Sequence, residues 1–87
     1  MKIIIYIDFS SKEFNKDFII SNALLSDGHA VLLVNSNIQL ESAYKTYDIL
    51  LWGNSYSGDY EFNKLITYRI KDLNIEDILR LINKKDY

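Results

Sequence analysis

The 87-residue chain contains no cysteine and no proline, and it has only three glycines and a single histidine. Without cysteine it can form no disulfide and has no thiolate nucleophile, so a hydrophobic core alone must hold the fold together. A domain of this length lies near the lower limit for folding without such help. No apolar run approaches the 18 residues of a spanning helix, and no cluster of potential metal ligands occurs. The sequence therefore predicts neither a membrane span nor a metal site, and it suggests no cofactor.

The charges are scattered and sum to a formal net charge of -2. Nucleic-acid binding through phosphate neutralisation needs a basic stripe or patch, so we expect no nucleic-acid partner. Met1 and Lys2 are followed by only five apolar residues, too few for the apolar region of a signal peptide, and we expect a cytoplasmic protein. The abundance of Ile, Asn, Lys and Tyr is typical of AT-rich genomes, as in many low-GC bacteria and their phages, and is compatible with a phage or mobile-element origin.

Three continuous apolar runs, at residues 3–7, 30–34 and 49–52, predict strands that are buried on both faces. Such strands need helices above and below the sheet, which is the α/β arrangement. The segment from Leu65 to Ile70 alternates instead, as an edge strand with one wetter face would. We therefore predict a single domain over residues 1–87, a small three-layer sandwich with a four-stranded, mostly parallel sheet in the order 2-1-3-4 and three helices.

Capping signals predict where those helices begin. Ser10 with Glu13 has the form of a capping box, which places the start of the first helix near Ser11. Ser36 opens a second helix over about residues 38–45 in the same way, and Asn74 caps the last one. Gly28 should end the first helix in the left-handed conformation. The apolar face of that helix is predicted to comprise Phe14, Phe18, Ile19, Ala23, Leu24 and Leu25.

Polar residues follow the predicted strands at the edge where ligands bind in open parallel sheets, outside the carboxyl ends of the strands. An anion could bind there at the start of the first helix. The alternative is that these side chains only cap the helix and finish the strands. The ligand-binding hypothesis comprises Asp8, Ser10, Ser11, Asn35, Gly53, Asn54 and Ser55.

The turn-rich segment from Gly53 to Tyr60 matches neither glycine-rich phosphate motif, so we interpret it as a polar loop. Its tyrosines suit protein recognition, and the hypothetical partner-binding residues are Tyr56, Asp59 and Tyr60. Only about ten residues separate the third and fourth strands, which leaves open one or two helical turns around residues 60–64 or a looser, hairpin-like return.

No residue stands out as catalytic. His29, the only histidine, follows a turn at the opposite end of the sheet and is expected at the surface, so it offers no base for a serine nucleophile. We therefore favour a non-enzymatic protein-interaction or regulatory module. The alternative is a small-ligand or nucleotide-binding domain with an anion site at the carboxyl ends of strands one and three. Homodimerisation through the edge strand from Leu65 to Ile70 is compatible with either function.

The order of the elements, with Asp8 ending the first strand and Lys71 following the last, resembles a shortened response-regulator receiver domain of the flavodoxin-like group. The resemblance covers most of the chain and implies a doubly wound parallel sheet. A receiver carries an acidic pair after strand one and a phosphorylated Asp at the end of strand three. In this chain Phe9 follows Asp8, and Gly53-Asn54 occupies the phospho-acceptor position, so no phosphotransfer residue is implied.

Overall fold

The computed structural model describes residues 1–84 and confirms the predicted sheet. All four strands are parallel and lie in the order 2-1-3-4. No helix among the described residues is both long and apolar enough to cross a membrane. The sequence predicts that Lys84 and Lys85 complement the dipole at the end of the last helix; Lys84 lies in its last turn, and Lys85 is outside the described residues. The elements are β1 (Lys2–Tyr6), α1 (Phe14–Ser26), β2 (Ala30–Val34), α2 (Asn37–Ala43), β3 (Ile49–Trp52), β4 (Ile66–Arg69) and α3 (Ile75–Lys84), with a 3-10 turn at Tyr44–Thr46 after α2.

Strand β1 is the centre of the sheet. Ile4 lies beside Leu32 of β2 on one side and beside Leu50 of β3 on the other. Ile3 and Ile5 point to the opposite face, and all three isoleucines are fully buried. Burial on both faces explains why the run is continuously apolar rather than alternating.

The two faces of the sheet are covered differently. On one face Ile3 and Ile5 pack with Ile20 and Leu24 of α1 and with Ile78 of α3. On the other face the core is formed by strand residues, Leu40 of α2 and a set of rings from the loop that precedes β4. This second core comprises Ile4, Tyr6, Val34, Leu40, Leu50, Trp52 and Phe62.

The connection between β3 and β4 contains no helix. Residues 53–65 run from one parallel strand to the next as turns and irregular chain. They cover the α2 side of the sheet through Phe62, Tyr56 and Tyr60, which pack into or against the second core. The crossover is therefore made by a ring-bearing loop, and neither the short helix nor the hairpin-like return that the spacing left open is formed.

Helix α1 begins later than the capping box predicted. It starts at Phe14, and its N-cap residue Glu13 makes no side-chain capping bond. Ser10 is engaged elsewhere, since its backbone N–H and its hydroxyl both donate to Asp8. This local turn competes with helix formation and delays the helix by about one turn. The other two caps are confirmed, because Ser36 accepts from the Gln39 amide and Asn74 from the Asp77 amide.

The buried face of α1 also differs from the predicted one. Asp17, Ile20, Ser21 and Leu24 are buried, whereas Ile19 and Leu25 are more than half exposed. Apolar residues surround much of this helix, so their spacing alone does not select one face. The result is a helix that leaves several apolar side chains outside the core.

Candidate functional site

The residues predicted to bind a ligand gather at the carboxyl edge of the sheet, where β1 and β3 end side by side. The backbone N–H of Asp8, just after β1, donates to Ser55 Oγ, just after β3, at 2.8 Å. Gly53 continues the pairing by donating its N–H to the Tyr6 carbonyl at 2.9 Å. The topology therefore brings Asp8, Gly53 and Ser55 together as the sequence suggested.

Asp17 of α1 occupies the centre of this edge. Its side chain is fully buried and accepts from the Asn54 N–H at 2.6 Å, the Ser55 N–H at 3.0 Å and the Ser55 hydroxyl at 2.6 Å. These donors are the groups that would bind an anionic ligand in a sheet of this kind. Here a carboxylate of the protein itself takes that position and links α1 to the end of β3. We call Asp17, Asn54 and Ser55 the carboxylate latch.

Gly53 is required by the latch for steric reasons. A Cβ atom built on Gly53 would lie 2.6 Å from Asp17 Oδ2 and 2.8 Å from the Tyr6 carbonyl oxygen. Side-chain carbons do not approach that closely, and the carbonyl belongs to the central strand. The glycine at this position therefore reflects close packing of Asp17 against the backbone, and not a phosphate-binding loop.

A second carboxylate caps the loop after β1. Asp8 Oδ1 accepts from the Ser10 hydroxyl at 2.6 Å and from the Ser10 N–H at 2.9 Å. These two hydrogen bonds, the hydroxyl first, hold the pKa of Asp8 below its usual value, because they favour the ionised form. Ser11 plays a separate local part, since its Oγ accepts from the Glu13 N–H at 3.2 Å.

Asn35 lies beside this loop at the end of β2. Its backbone N–H donates to Gln39 Oε1 at 2.8 Å, so Gln39 reaches back to the residue before the N-cap Ser36. Asn35, Asp8 and Ser10 line a shallow cleft of about 350 Å³ together with Tyr6 and Tyr56. This cleft has a carboxylate and tyrosines in its walls but no cationic side chain, so it is poorly suited to an anion.

A larger cleft of about 680 Å³ lies between α1 and α3 at the same edge. Asn54 connects it to the latch, since Asn54 Oδ1 accepts from the Asp72 N–H at 3.2 Å. Lys16 in its wall pairs with Glu13 at 2.6 Å, and the start of α3 contributes Glu76. Other lining residues are Ile19, Ile20, Leu73, Asn74 and Ile75. The floor of the cleft is thus apolar, and the paired Lys16 and the carboxylates of Asp72 and Glu76 surround it.

The hypothetical partner-binding residues belong to the loop that replaces the crossover helix. Tyr56 stacks on Trp52 with ring centroids 5.0 Å apart, and its hydroxyl accepts from the Tyr60 N–H at 3.1 Å. Tyr60 meets the edge of Trp52 at 6.0 Å. Both tyrosines are partly buried, whereas Asp59 is exposed. The loop is therefore held by rings, and its charged residues face the solvent.

Tyr6 forms the inner end of this ring cluster. Its ring lies 4.7 Å from that of Tyr56, and its hydroxyl donates to Asn37 Oδ1 at 2.8 Å. Burial raises the pKa of Tyr6, and the neighbouring Tyr56, Tyr60 and Asp8 raise it further, because each would repel a phenolate. Tyr6 therefore acts as a neutral hydrogen-bond donor and not as a base.

His29 is buried, contrary to the expectation of a surface position. Its backbone N–H donates to the Leu24 carbonyl, which draws the residue beneath the end of α1. Nε2 lies 3.2 Å from Asp27 Oδ2, and Nδ1 has no hydrogen-bond partner. This histidine is remote from the carboxyl edge and offers no base to it. Within residues 1–84, no group of three or more His, Asp or Glu side chains could hold a metal ion.

Asp17 was the residue that the sequence analysis missed. A signal was present, because Asp17 precedes Ile20 and Leu24 at spacings of three and seven and so shares their buried helix face. A carboxylate on such a face requires donors from elsewhere in the chain. Nothing in the local sequence indicates that those donors lie 37 and 38 residues away, in Asn54 and Ser55.

No protein-family model, no curated protein and no solved structure matches this chain.

Proposed function

We propose that this domain is a non-enzymatic module that binds a protein partner with a basic segment. The observation that carries the proposal is that donors at the carboxyl edge are already paired with the chain's own carboxylates. A nucleotide or phosphosugar would have to displace Asp17 from the amides of Asn54 and Ser55, which would leave a buried charge without partners. The position at which small ligands usually bind in this fold is thus occupied by the carboxylate of Asp17.

The surface that suits a partner is the outer side of the loop at residues 53–65. Asp59 and Glu61 are exposed there, next to the partly buried ring of Tyr60. A neighbouring cleft of about 360 Å³ is lined by Trp52, Phe62 and Glu61, and Arg69 in its wall already lies over the Trp52 ring, 5.7 Å from its centroid. Tyr60, which lies between Asp59 and Glu61 in the chain, can attract a lysine or arginine side chain of a partner, since the ring attracts cations and the two carboxylates can pair with them. The partner class that fits is therefore a protein with a basic, exposed segment.

The test is capture from a lysate of the source cells on the immobilised domain, compared between two charge-reversal variants. Glu61→Lys changes the proposed surface, and Glu76→Lys makes the same change on an exposed carboxylate at the start of α3, on the opposite face of the sheet. We expect a specific protein to be captured by the parent chain and by Glu76→Lys but lost with Glu61→Lys. Equal capture by all three chains would refute the proposed surface.

The second candidate is a small-ligand domain, and the 680 Å³ cleft between α1 and α3 favours it, because ligand sites commonly have this volume and an apolar floor. Its predicted ligand is uncharged or zwitterionic, since Asp72 and Glu76 flank the cleft. Thermal unfolding against uncharged and zwitterionic compounds, with nucleotides, phosphosugars, flavins and simple anions beside them, separates the two functions. The interaction module predicts no shift with any compound. A reproducible shift with an uncharged or zwitterionic compound would support the cleft between α1 and α3, whereas a shift with an anion that disappears in Ser10→Ala would support an anion site beside Asp8.

A further inference from the structure

Helix α1 carries an apolar stripe outside the core. Phe14, Phe18 and Leu25 are spaced by four and seven residues, so they share one side of the helix. Phe14 and Phe18 are only partly buried, and Leu25 is 51% exposed. Phe9 extends the group, with its ring centroid 6.2 Å from those of Phe14 and Phe18. An apolar group of this size on the surface indicates an interaction site.

Strand β2, at one edge of the sheet, has no charged residue from Ala30 to Val34. Edge strands are usually protected from pairing by lysines, prolines, bulges or a covering element. The other edge strand, β4, contains Arg69 and is followed by Lys71. The middle residues of β2, by contrast, are Val31, Leu32 and Leu33, which are all only partly buried. The unprotected edge of this sheet is therefore β2.

We propose that β2 pairs with β2 of a second copy of this chain, antiparallel about a two-fold axis at Leu32, and that the stripes on the two α1 helices pack against each other. The occupant is a second copy because both the strand and the helix are self-complementary in that arrangement. The proposal is independent of the surface assigned to a basic partner, which lies on the other face of the sheet.

The backbone of β2 has the correct orientation for such pairing. The Ala30 N–H donates to Met1, and the Val34 carbonyl accepts from Ile7, so these residues direct their polar groups toward β1. Because the direction alternates along a strand, Val31 and Leu33 direct theirs to the open edge. Antiparallel pairing places Val31 opposite the second copy's Leu33, and each such pair exchanges both of its hydrogen bonds. The sheet then continues across both copies.

Charge and shape also match on the helices. Antiparallel packing of the two α1 helices about the same axis places Phe14 opposite the second copy's Leu25. Lys12 precedes α1 and Asp27 follows it, so the same arrangement brings Lys12 toward the second copy's Asp27, whose Oδ2 also lies 3.2 Å from His29 Nε2 of its own chain. Both charged residues are exposed, and their opposite signs favour this arrangement over a parallel one, which would place like charges together.

The register is tested with Leu32→Cys, which introduces the only cysteine of the chain. Two Leu32 residues on the axis form a non-hydrogen-bonded pair, with Cα atoms about 4.5 Å apart, within the range of a disulfide. We expect mild oxidation to give a covalent dimer on a non-reducing gel, whereas Tyr68→Cys, at the equivalent place on the β4 edge, stays monomeric. Cross-linking of Tyr68→Cys but not Leu32→Cys would overturn the proposal in favour of the β4 edge.

The stripe is tested by sedimentation equilibrium with Leu25→Lys and its matched control Ile19→Lys. Both residues are exposed leucine or isoleucine of the same helix, at 51% and 57%, but Ile19 lies off the stripe. We expect Leu25→Lys to raise the dimer dissociation constant at least about tenfold, since two copies of the change enter the interface, and Ile19→Lys to leave it unchanged. A monomer at every concentration, or equal effects of the two variants, would overturn the proposal.

The charge pairing is tested by exchange. Lys12→Glu or Asp27→Lys alone should weaken the dimer several-fold, because each places like charges opposite each other. The double variant should restore it. A double variant as weak as the sum of the two single ones would show that Lys12 and Asp27 do not face each other, and it would refute the antiparallel arrangement.

Discussion

Removal of the Asp17 carboxylate should be the most destabilising single change at the carboxyl edge. Asp17→Ala leaves the N–H groups of Asn54 and Ser55 buried without their acceptor, and the Ser55 hydroxyl loses its own. A hydrogen bond to a charged group contributes about 1.5–3 kcal/mol, but part of that gain offsets the cost of burying the charge. Each buried donor left without an acceptor costs about 1–3 kcal/mol, and the change leaves two amides and one hydroxyl in that state, so we expect a loss of about 3–5 kcal/mol in the free energy of unfolding.

Such a loss is a large share of the roughly 5–15 kcal/mol that stabilises a small domain. Asp17→Asn should cost less, about 2–3 kcal/mol, since its amide oxygen still accepts while its NH₂ group faces donors. The assay is urea unfolding followed by the fluorescence of Trp52, the only tryptophan, which is buried and adjoins Gly53. Asp59→Ala removes an exposed carboxylate and serves as the control. If Asp17→Ala cost no more than Asp59→Ala, the latch would have no structural role.

Three further predictions concern the same edge. Gly53→Ala should destabilise the fold by about 1–3 kcal/mol in urea unfolding, because the new methyl group would press Asp17 and the central strand apart; a neutral result would contradict the close packing. The free energy of unfolding should fall as the pH rises above about 10, because the raised pKa of Tyr6 means that the unfolded state ionises before the folded state does. If Tyr6→Phe showed the same fall at high pH, Tyr6 would not be its source. Because the pKa of Asp8 is lowered in the folded state, Asp8 contributes stability above its ordinary pKa, and this stability is lost as the pH falls through the pKa of the folded state. Ser10→Ala should return the pKa of Asp8 toward its ordinary value in an NMR titration. An unchanged pKa would show that Ser10 does not lower it.

The sheet could be predicted from the sequence because its information is local. Each apolar run is short, contains at least one β-branched residue and is bounded by polar residues, which favours a strand over a helix. The caps at Ser36 and Asn74 are likewise local, since donor and acceptor lie within three residues. The same reasoning failed at Ser10, because its N–H, which a capping box would pair with the Glu13 side chain, donates to the nearer Asp8.

The site could be predicted only in part. The positions of Asp8, Gly53 and Ser55 follow from parallel topology, which aligns strand ends at one edge. Their chemistry does not, because it depends on Asp17, which reaches them from another layer of the fold. A sequence read segment by segment shows the donors of an anion site and not the internal anion that fills it.

The helix-free crossover between β3 and β4 has a consequence for how the domain opens. On the α2 side, the last two strands are covered by rings on irregular chain, and few backbone hydrogen bonds secure that cover. Regions of this kind open at lower free energy than the rest of a fold. Backbone amides of β4 should therefore exchange with solvent through partial opening, while those of β1, enclosed between two neighbours, exchange only when the entire domain unfolds. We therefore expect β4 and the loop at residues 53–65 to open together as one cooperative unit, with Trp52 at its boundary.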